Sequence, residues 1–186
     1  MMINCLSLGA CLAALALTSG DNPCVSGLPP GQRTGPYASV ISTGPERGKS
    51  HCFICETGTQ PAVIVFARSL SKDLGPLAEK VDKALVDHKS ADLHGWITFL
   101  KADQLKFDPQ VVHWSQEHAL GRLPLGIFED EGGPPAYRLN RDAEITVLVC
   151  NKQRVVNNFA FRAGELTSAR LAEIVKAIDG VAGKPK

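Results

Sequence analysis

The sequence predicts an α/β fold in one domain, a central mixed β-sheet covered by helices on both sides. Three observations predict it. Ala62–Ala67 (AVIVFA) is an unbroken apolar run, as a strand buried on both faces should be. Apolar residues at helical spacing follow, and then a second unbroken run at residues 95–101 (GWITFLK). Strand, helix and strand over about forty residues make a βαβ unit, with parallel neighbours and a right-handed crossover. The chain then closes with a β-hairpin pattern and an amphipathic helix, which adds antiparallel strands to the parallel pair.

Size and charge narrow the function classes. A chain of 186 residues is one domain's worth and can bury a core without staples. Twenty Lys and Arg against 19 Asp and Glu leave a formal charge of +1, and no long basic run departs from that balance. Neither nucleic acid nor an anionic membrane surface is attracted by such a field. No cofactor is expected, and no internal repeat is present.

The first twenty residues, MMINCLSLGACLAALALTSG, read as an export signal peptide. Residues 3–17 are apolar but too short for a membrane span of about 20 residues. Ala14-Leu15-Ala16 offers an A-x-A cleavage pattern, and Thr18-Ser19-Gly20 a second small-residue option. Leu8-Gly9-Ala10-Cys11 also resembles a lipobox, which makes lipoprotein anchoring the minority expectation. The n-region carries no Lys or Arg. A periplasmic or extracellular location follows, with no stable membrane span after cleavage. Residues 21–36 are dense in Gly, Pro and small polar residues and are expected to tether the leader to a domain over 37–182.

The domain's elements follow in order. Residues 37–42 (YASVIS) predict a short first strand, and residues 43–60 a loop holding His51-Cys52-Phe53-Ile54-Cys55. After the Ala62–Ala67 strand, Leu74, Leu77, Ala78, Val81, Ala84 and Leu85 set the inner face of a helix that Asp73 caps. Asp108-Pro109 predicts the start of the next helix, with Val111, Val112, Ser115 and Ala119 inward. Residues 123–128 (LPLGIF) are a short strand. Residues 144–150 (EITVLVC) and Arg154–Phe161 (RVVNNFAF) flank a tight turn at Asn151-Lys152-Gln153. Thr167 caps a closing helix with Leu171, Ile174, Val175 and Ile178 inward and Gly180 near its end.

This order of elements is similar to the thioredoxin fold. The segment Leu125-Gly126-Ile127-Phe128-Glu129-Asp130, then Ala136-Tyr137-Arg138-Leu139, then Thr146-Val147-Leu148-Val149 and Val155, resembles the peroxiredoxin-like (alkyl hydroperoxide reductase/thiol-specific antioxidant) branch. Members of that branch carry a leucine-x-x-x-x-Asp, then Ala-Tyr segment before the hairpin. The resemblance covers residues 35–178 and implies a thiol-based redox scaffold. The sequence departs from it where the family's chemistry lies. Thioredoxins place their CxxC, and peroxiredoxins their peroxide-reducing cysteine, just after the first central strand. Here that stretch is Arg68-Ser69-Leu70-Ser71-Lys72-Asp73, without cysteine. The cis-proline position falls near Ile145 or Thr146, and neither is proline.

Of six cysteines, Cys5 and Cys11 lie in the leader, leaving Cys24, Cys52, Cys55 and Cys150. Four cysteines in an oxidising compartment allow three full pairings, and Cys52 and Cys55 are near enough to pair locally. The 144–150 strand should run antiparallel to Ala62–Ala67, so Cys150 returns toward the start of that strand, where the Cys52-Cys55 loop enters. Three readings stay open. Cys52 and Cys55 are a catalytic thiol–disulfide pair acting on a protein thiol partner, with Cys150 as resolving thiol and Lys49 or His51 supplying the positive charge a thiolate needs. Alternatively they are a structural staple in a non-catalytic binding module, with Phe53 and Ile54 packed inward. Alternatively His51, Cys52, Cys55 and Cys150 hold a soft metal such as zinc or cuprous copper.

Other polar residues suggest less. His113 and His118 are five apart and fall on different helix faces, and His88 and His94 have no partner in sequence. Asp130 and Glu131 beside Gly132-Gly133-Pro134-Pro135 read as a solvated turn. Ser69 and Ser71 have no His and acid placed to activate them. Trp96 and Trp114 are read as core or rim residues.

Overall fold

The structure is a computed structural model and describes residues 22–183; the expected leader, with its cleavage and lipobox patterns, lies outside the described residues. Among those residues the strands are β1 (Ser39–Ile41), β2 (Ser50–His51), β3 (Ala62–Ala67), β4 (His94–Leu100), β5 (Leu125–Phe128), β6 (Ile145–Asn151) and β7 (Arg154–Phe161). They form one sheet in the order β2-β1-β5-β4-β3-β6-β7. β3, β4 and β5 are parallel neighbours, and β6 runs antiparallel to both β3 and β7. The sheet is therefore mixed, as expected. Its far edge carries the antiparallel β1 and β2 against β5.

Every residue of β3 is buried, because both its faces are covered. Val63, Val65 and Ala67 enter one core, and Ala62, Ile64 and Phe66 the other. The first core holds the inner faces of all three long helices. These are α2 (Leu74–Asp87), α3 (Gln104–Glu117) and α4 (Ser168–Ala182). The reason is topological. From β3 to β4 to β5 the chain steps twice in the same direction, and right-handed crossovers then put both connecting helices on one face. The expectation of helices on both sides thus needs refining. Among the described residues the second face carries the five-residue helix α1 (Phe53–Thr57), a 3-10 turn at Pro135–Tyr137, and extended chain.

That extended chain is the stretch expected as a tether. From residue 22 onward it is built into the domain. Leu28 is buried in the second core. The Ser26 hydroxyl is 2.7 Å from that of Thr146 and accepts from the Asn140 amide N–H at 3.0 Å. Asn158 donates its side-chain amide to the carbonyls of Ser26 and Leu28 at 2.8 and 2.9 Å. Further on, Gly31 N–H donates to Val155 and Thr34 N–H to Gln153, at 2.8 and 2.9 Å. Glycine is required at position 27, where φ is +85° and a Cβ would lie 2.8 Å from Thr146 Cγ2. Small residues here let the backbone lie flat on the sheet, which composition alone reads as solvated linker.

Two element boundaries also differ. α3 begins at Gln104, capped by Asp103, whose carboxylate accepts from Lys106 N–H at 3.1 Å; Pro109 sits inside the helix rather than at its start. Asp103 and Asp108 offer the same kind of cap, and sequence favoured the one followed by proline. Asp73 precedes α2 as expected, but its carboxylate accepts from Gly164 N–H at 3.0 Å instead of capping. Thr167 does cap α4, accepting from Arg170 N–H at 3.3 Å. The β6–β7 turn is tight, with Lys152 and Gln153 both at positive φ, 50° and 57°.

Candidate functional site

The cysteine pair owes its setting to one turn of helix. The loop expected over residues 43–60 contains β2 and α1, with Cys52 between them. In α1, Ile54 and Thr57 are buried, and the Thr57 hydroxyl donates to the Phe53 carbonyl at 2.8 Å. Residues three apart share a helix face. With 54 and 57 turned inward, Cys55 and Glu56 are turned out. Phe53 packs over Trp96, ring centroids 5.3 Å apart, which holds the start of the helix to β4.

Cys52 and Cys55 are joined in a disulfide. Their surroundings differ. Cys55 is exposed, whereas Cys52 is half-buried and packs against the second core. The positive groups expected beside them lie against carboxylates. Lys49 Nζ lies 3.0 Å from Glu46 Oε2. His51 Nε2 lies 3.1 Å from Glu56 Oε2, but off the line of a hydrogen bond, so this buried ring nitrogen has no hydrogen-bond partner. The His51 ring meets Phe53 edge-on at 4.6 Å.

Cys150 is where topology placed it. It stands opposite Ala62, at the start of β3, and shares the second core with Ile54. It is a free thiol at 1% exposure, and burial pushes its pKa up to about 12. Burial so far from solvent also keeps an external thiol from reaching it. Among the described residues no three His, Cys, Asp or Glu side chains gather as a group able to hold a metal ion. His51, Cys52, Cys55 and Cys150 do not form such a group: two of the sulfurs bond each other and the third is buried in the second core. Cys24 is a half-buried free thiol on the opposite flank, and burial raises its pKa too.

The sheet's other end, where thioredoxin chemistry would lie, is tied shut. Arg68, next after β3, donates through its guanidinium to the carbonyls of Ala143, Glu131 and Asn140 at 2.9, 2.5 and 3.0 Å. The Ser69 hydroxyl donates to the Glu144 carboxylate. Ile145 and Thr146, at the cis-proline position, are buried strand residues.

The remaining polar residues mostly hold elements together. His88, unpartnered in sequence, is 2.8 Å from Asp179 of α4. His118 reaches Glu79 of α2 at 2.8 Å, and His113 lies 3.4 Å from Glu117 on its own helix. Asp130 accepts from Gly132 N–H within its turn at 2.7 Å. Trp96 and Trp114 are core residues.

Sequence reasoning missed two features. The first is the polar network inside the second core. Trp96 Nε1 donates to the Tyr37 hydroxyl at 2.7 Å, which lies 2.8 Å from the Thr98 hydroxyl, and Tyr137 donates to the Gly35 carbonyl at 2.8 Å. No local pattern signals such pairings. The second is a cleft of about 400 Å³ beside α1, lined by Phe53, Glu56, Leu85, His94, Trp96 and Arg122 among others. It adjoins the CxxC helix without including either sulfur.

No protein-family model matches the chain, and no curated relative does. Solved structures do. A candidate protein disulfide isomerase of Bacteroides thetaiotaomicron superposes with a TM-score of 0.65 at 15% identity, over 86% of this chain and 94% of that one. A candidate thiol:disulfide interchange protein DsbE of Chlorobium tepidum gives 0.65 at 12%, over 84% and 99%. Peroxidoxin BcpB of Mycobacterium tuberculosis gives 0.55 at 10%, over 82% and 97%. At such identities the likeness speaks for architecture. The chain has a thioredoxin-like fold, with neighbours in both its disulfide-exchange and peroxiredoxin branches.

Proposed function

We propose that this protein is an exported thiol–disulfide exchange protein that acts on protein thiols through Cys52 and Cys55. The observation that carries the reading is a disulfide in CxxC spacing, with one of its two residues exposed, on a thioredoxin-like scaffold. A disulfide persists in an oxidising compartment, which agrees with the leader-like first twenty residues. The pair lies at the β3 entry rather than the β3 exit, so the scaffold is used from its opposite end.

The test is reduction of insulin by the dithiol form, with the reduction potential of the pair measured against glutathione. A catalytic pair equilibrates with glutathione and loses turnover in Cys52→Ser. A potential far below the glutathione range, with no insulin reduction, overturns the reading. The second reading, a non-catalytic module with a structural staple, is favoured by one observation: Ile54, inside the CxxC, is buried. The same potential separates the two.

A further inference from the structure

We propose that exchange enters this protein at Cys55, the second cysteine of the pair, and that Cys52 is the sulfur released toward the core. The inference rests on the exchange reading above and adds the polarity of the pair.

Exchange requires a thiolate to approach one sulfur along the S–S axis, so access decides which sulfur is attacked. Helix phase sets that access here. Ile54 and Thr57 fix α1 by their buried faces, which leaves Cys55 on the outer face beside Glu56, with the exposed residues 58–60 beyond it. Cys52 lies on the inner side, half-buried against the core of Ile54, Trp96 and Cys150. Its chain neighbours His51 and Phe53 are also half-buried and meet ring to ring at 4.6 Å, and Phe53 is further packed on Trp96. A folded protein partner can present a cysteine to the exposed Cys55 more readily than to Cys52, which is half-buried between half-buried rings.

In the first step a partner thiolate attacks Cys55 Sγ. The Cys52–Cys55 bond breaks, a partner–Cys55 disulfide forms, and the electron pair leaves on Cys52 Sγ. A second thiolate of the partner then attacks the partner's own sulfur in that mixed disulfide and releases Cys55 as thiolate. The partner dithiol has lost two protons and two electrons and become a disulfide. Cys52 and Cys55 have gained the electrons and, through solvent, the two protons.

The experiment uses the full chain in its disulfide form with reduced glutathione as the attacking thiol, quenched with N-ethylmaleimide. The peptide of residues 50–68 is then sequenced by mass spectrometry. Glutathione on Cys55 with maleimide on Cys52 is expected. Glutathione on Cys52 overturns the polarity and leaves the exchange reading standing. A pair that stays closed overturns both. Independently, glutathione disulfide should modify Cys55 in Cys52→Ser at least about tenfold faster than Cys52 in Cys55→Ser. Equal or reversed rates overturn the proposal even if mixed disulfides are too short-lived to trap.

Discussion

The Trp96 indole N–H donates to the Tyr37 hydroxyl at 2.7 Å, and this bond ties the centre of the sheet to the N-terminal cover. Thr98 meets the same hydroxyl, so one oxygen serves two buried side chains. Tyr37→Phe keeps the ring, which packs against Phe66, Phe128 and Tyr137, but strands the indole N–H. An unsatisfied buried donor costs about 1–3 kcal/mol, so the urea midpoint should fall by that equivalent. A midpoint unchanged from wild type would mean the bond is not made.

Leu28→Ala tests whether residues 22–36 belong to the domain. Removing a buried leucine costs about 2–5 kcal/mol, whereas the same change in a solvated tether costs nothing measurable. Thermal unfolding distinguishes the two.

Arg68→Ala removes three hydrogen bonds to the loop over residues 131–143. Stability should fall by about 2 kcal/mol, with faster amide exchange in that loop. Glutathione exchange at Cys52–Cys55 should be unchanged, because the pair lies at the opposite end of β3. A fall in exchange rate in the folded variant would place part of the chemistry at the Arg68 end.

Cys150 gives a pH signature. Burial raises its pKa from 9.0 to about 12, so the folded protein keeps a proton that the unfolded chain loses above pH 9. Its contribution to stability is complete below pH 9 and is lost as the pH rises toward 12. Tyr37 and Tyr137, raised by burial in the same direction, add to the slope. Denaturant melts of Cys150→Ala should show a shallower alkaline decline than wild type. In native buffer at pH 8, iodoacetamide should leave Cys150 unmodified.

Pro109→Ala should stabilise α3. Inside the helix proline lacks the N–H that would reach back to the Leu105 carbonyl, and restoring it is worth about 1–3 kcal/mol. A destabilised variant would show that the ring's fixed backbone angle matters more than the missing bond.

The parts of this fold legible in sequence are those whose physics is local. β3 was read to the residue because a strand covered on both faces must be apolar throughout, and α2 because its inner residues repeat at helical spacing. Cys150 was placed beside the entry of β3 from strand direction alone. What sequence hid was decided by distant partners. Ser26 and Thr146 meet across 120 positions, and nothing near residue 26 marks it as buried. The difference between Cys52 and Cys55 depends on Ile54 and Thr57 facing inward, a spacing present in the sequence but carrying no sign of direction.

The covering of the second face by extended chain sets an order of events. The helical face is assembled largely from neighbours in sequence, strand to helix to strand. The other face stays open until residues 22–37 settle on β6 and β7, and a contact such as Ser26 with Thr146 must close a loop of 120 positions. In a chain delivered N-terminus first, the cover emerges before the hairpin that it fits. Leu28 and the aromatic patch around Tyr37 then remain exposed to water, and to other chains, until nearly the whole domain is present.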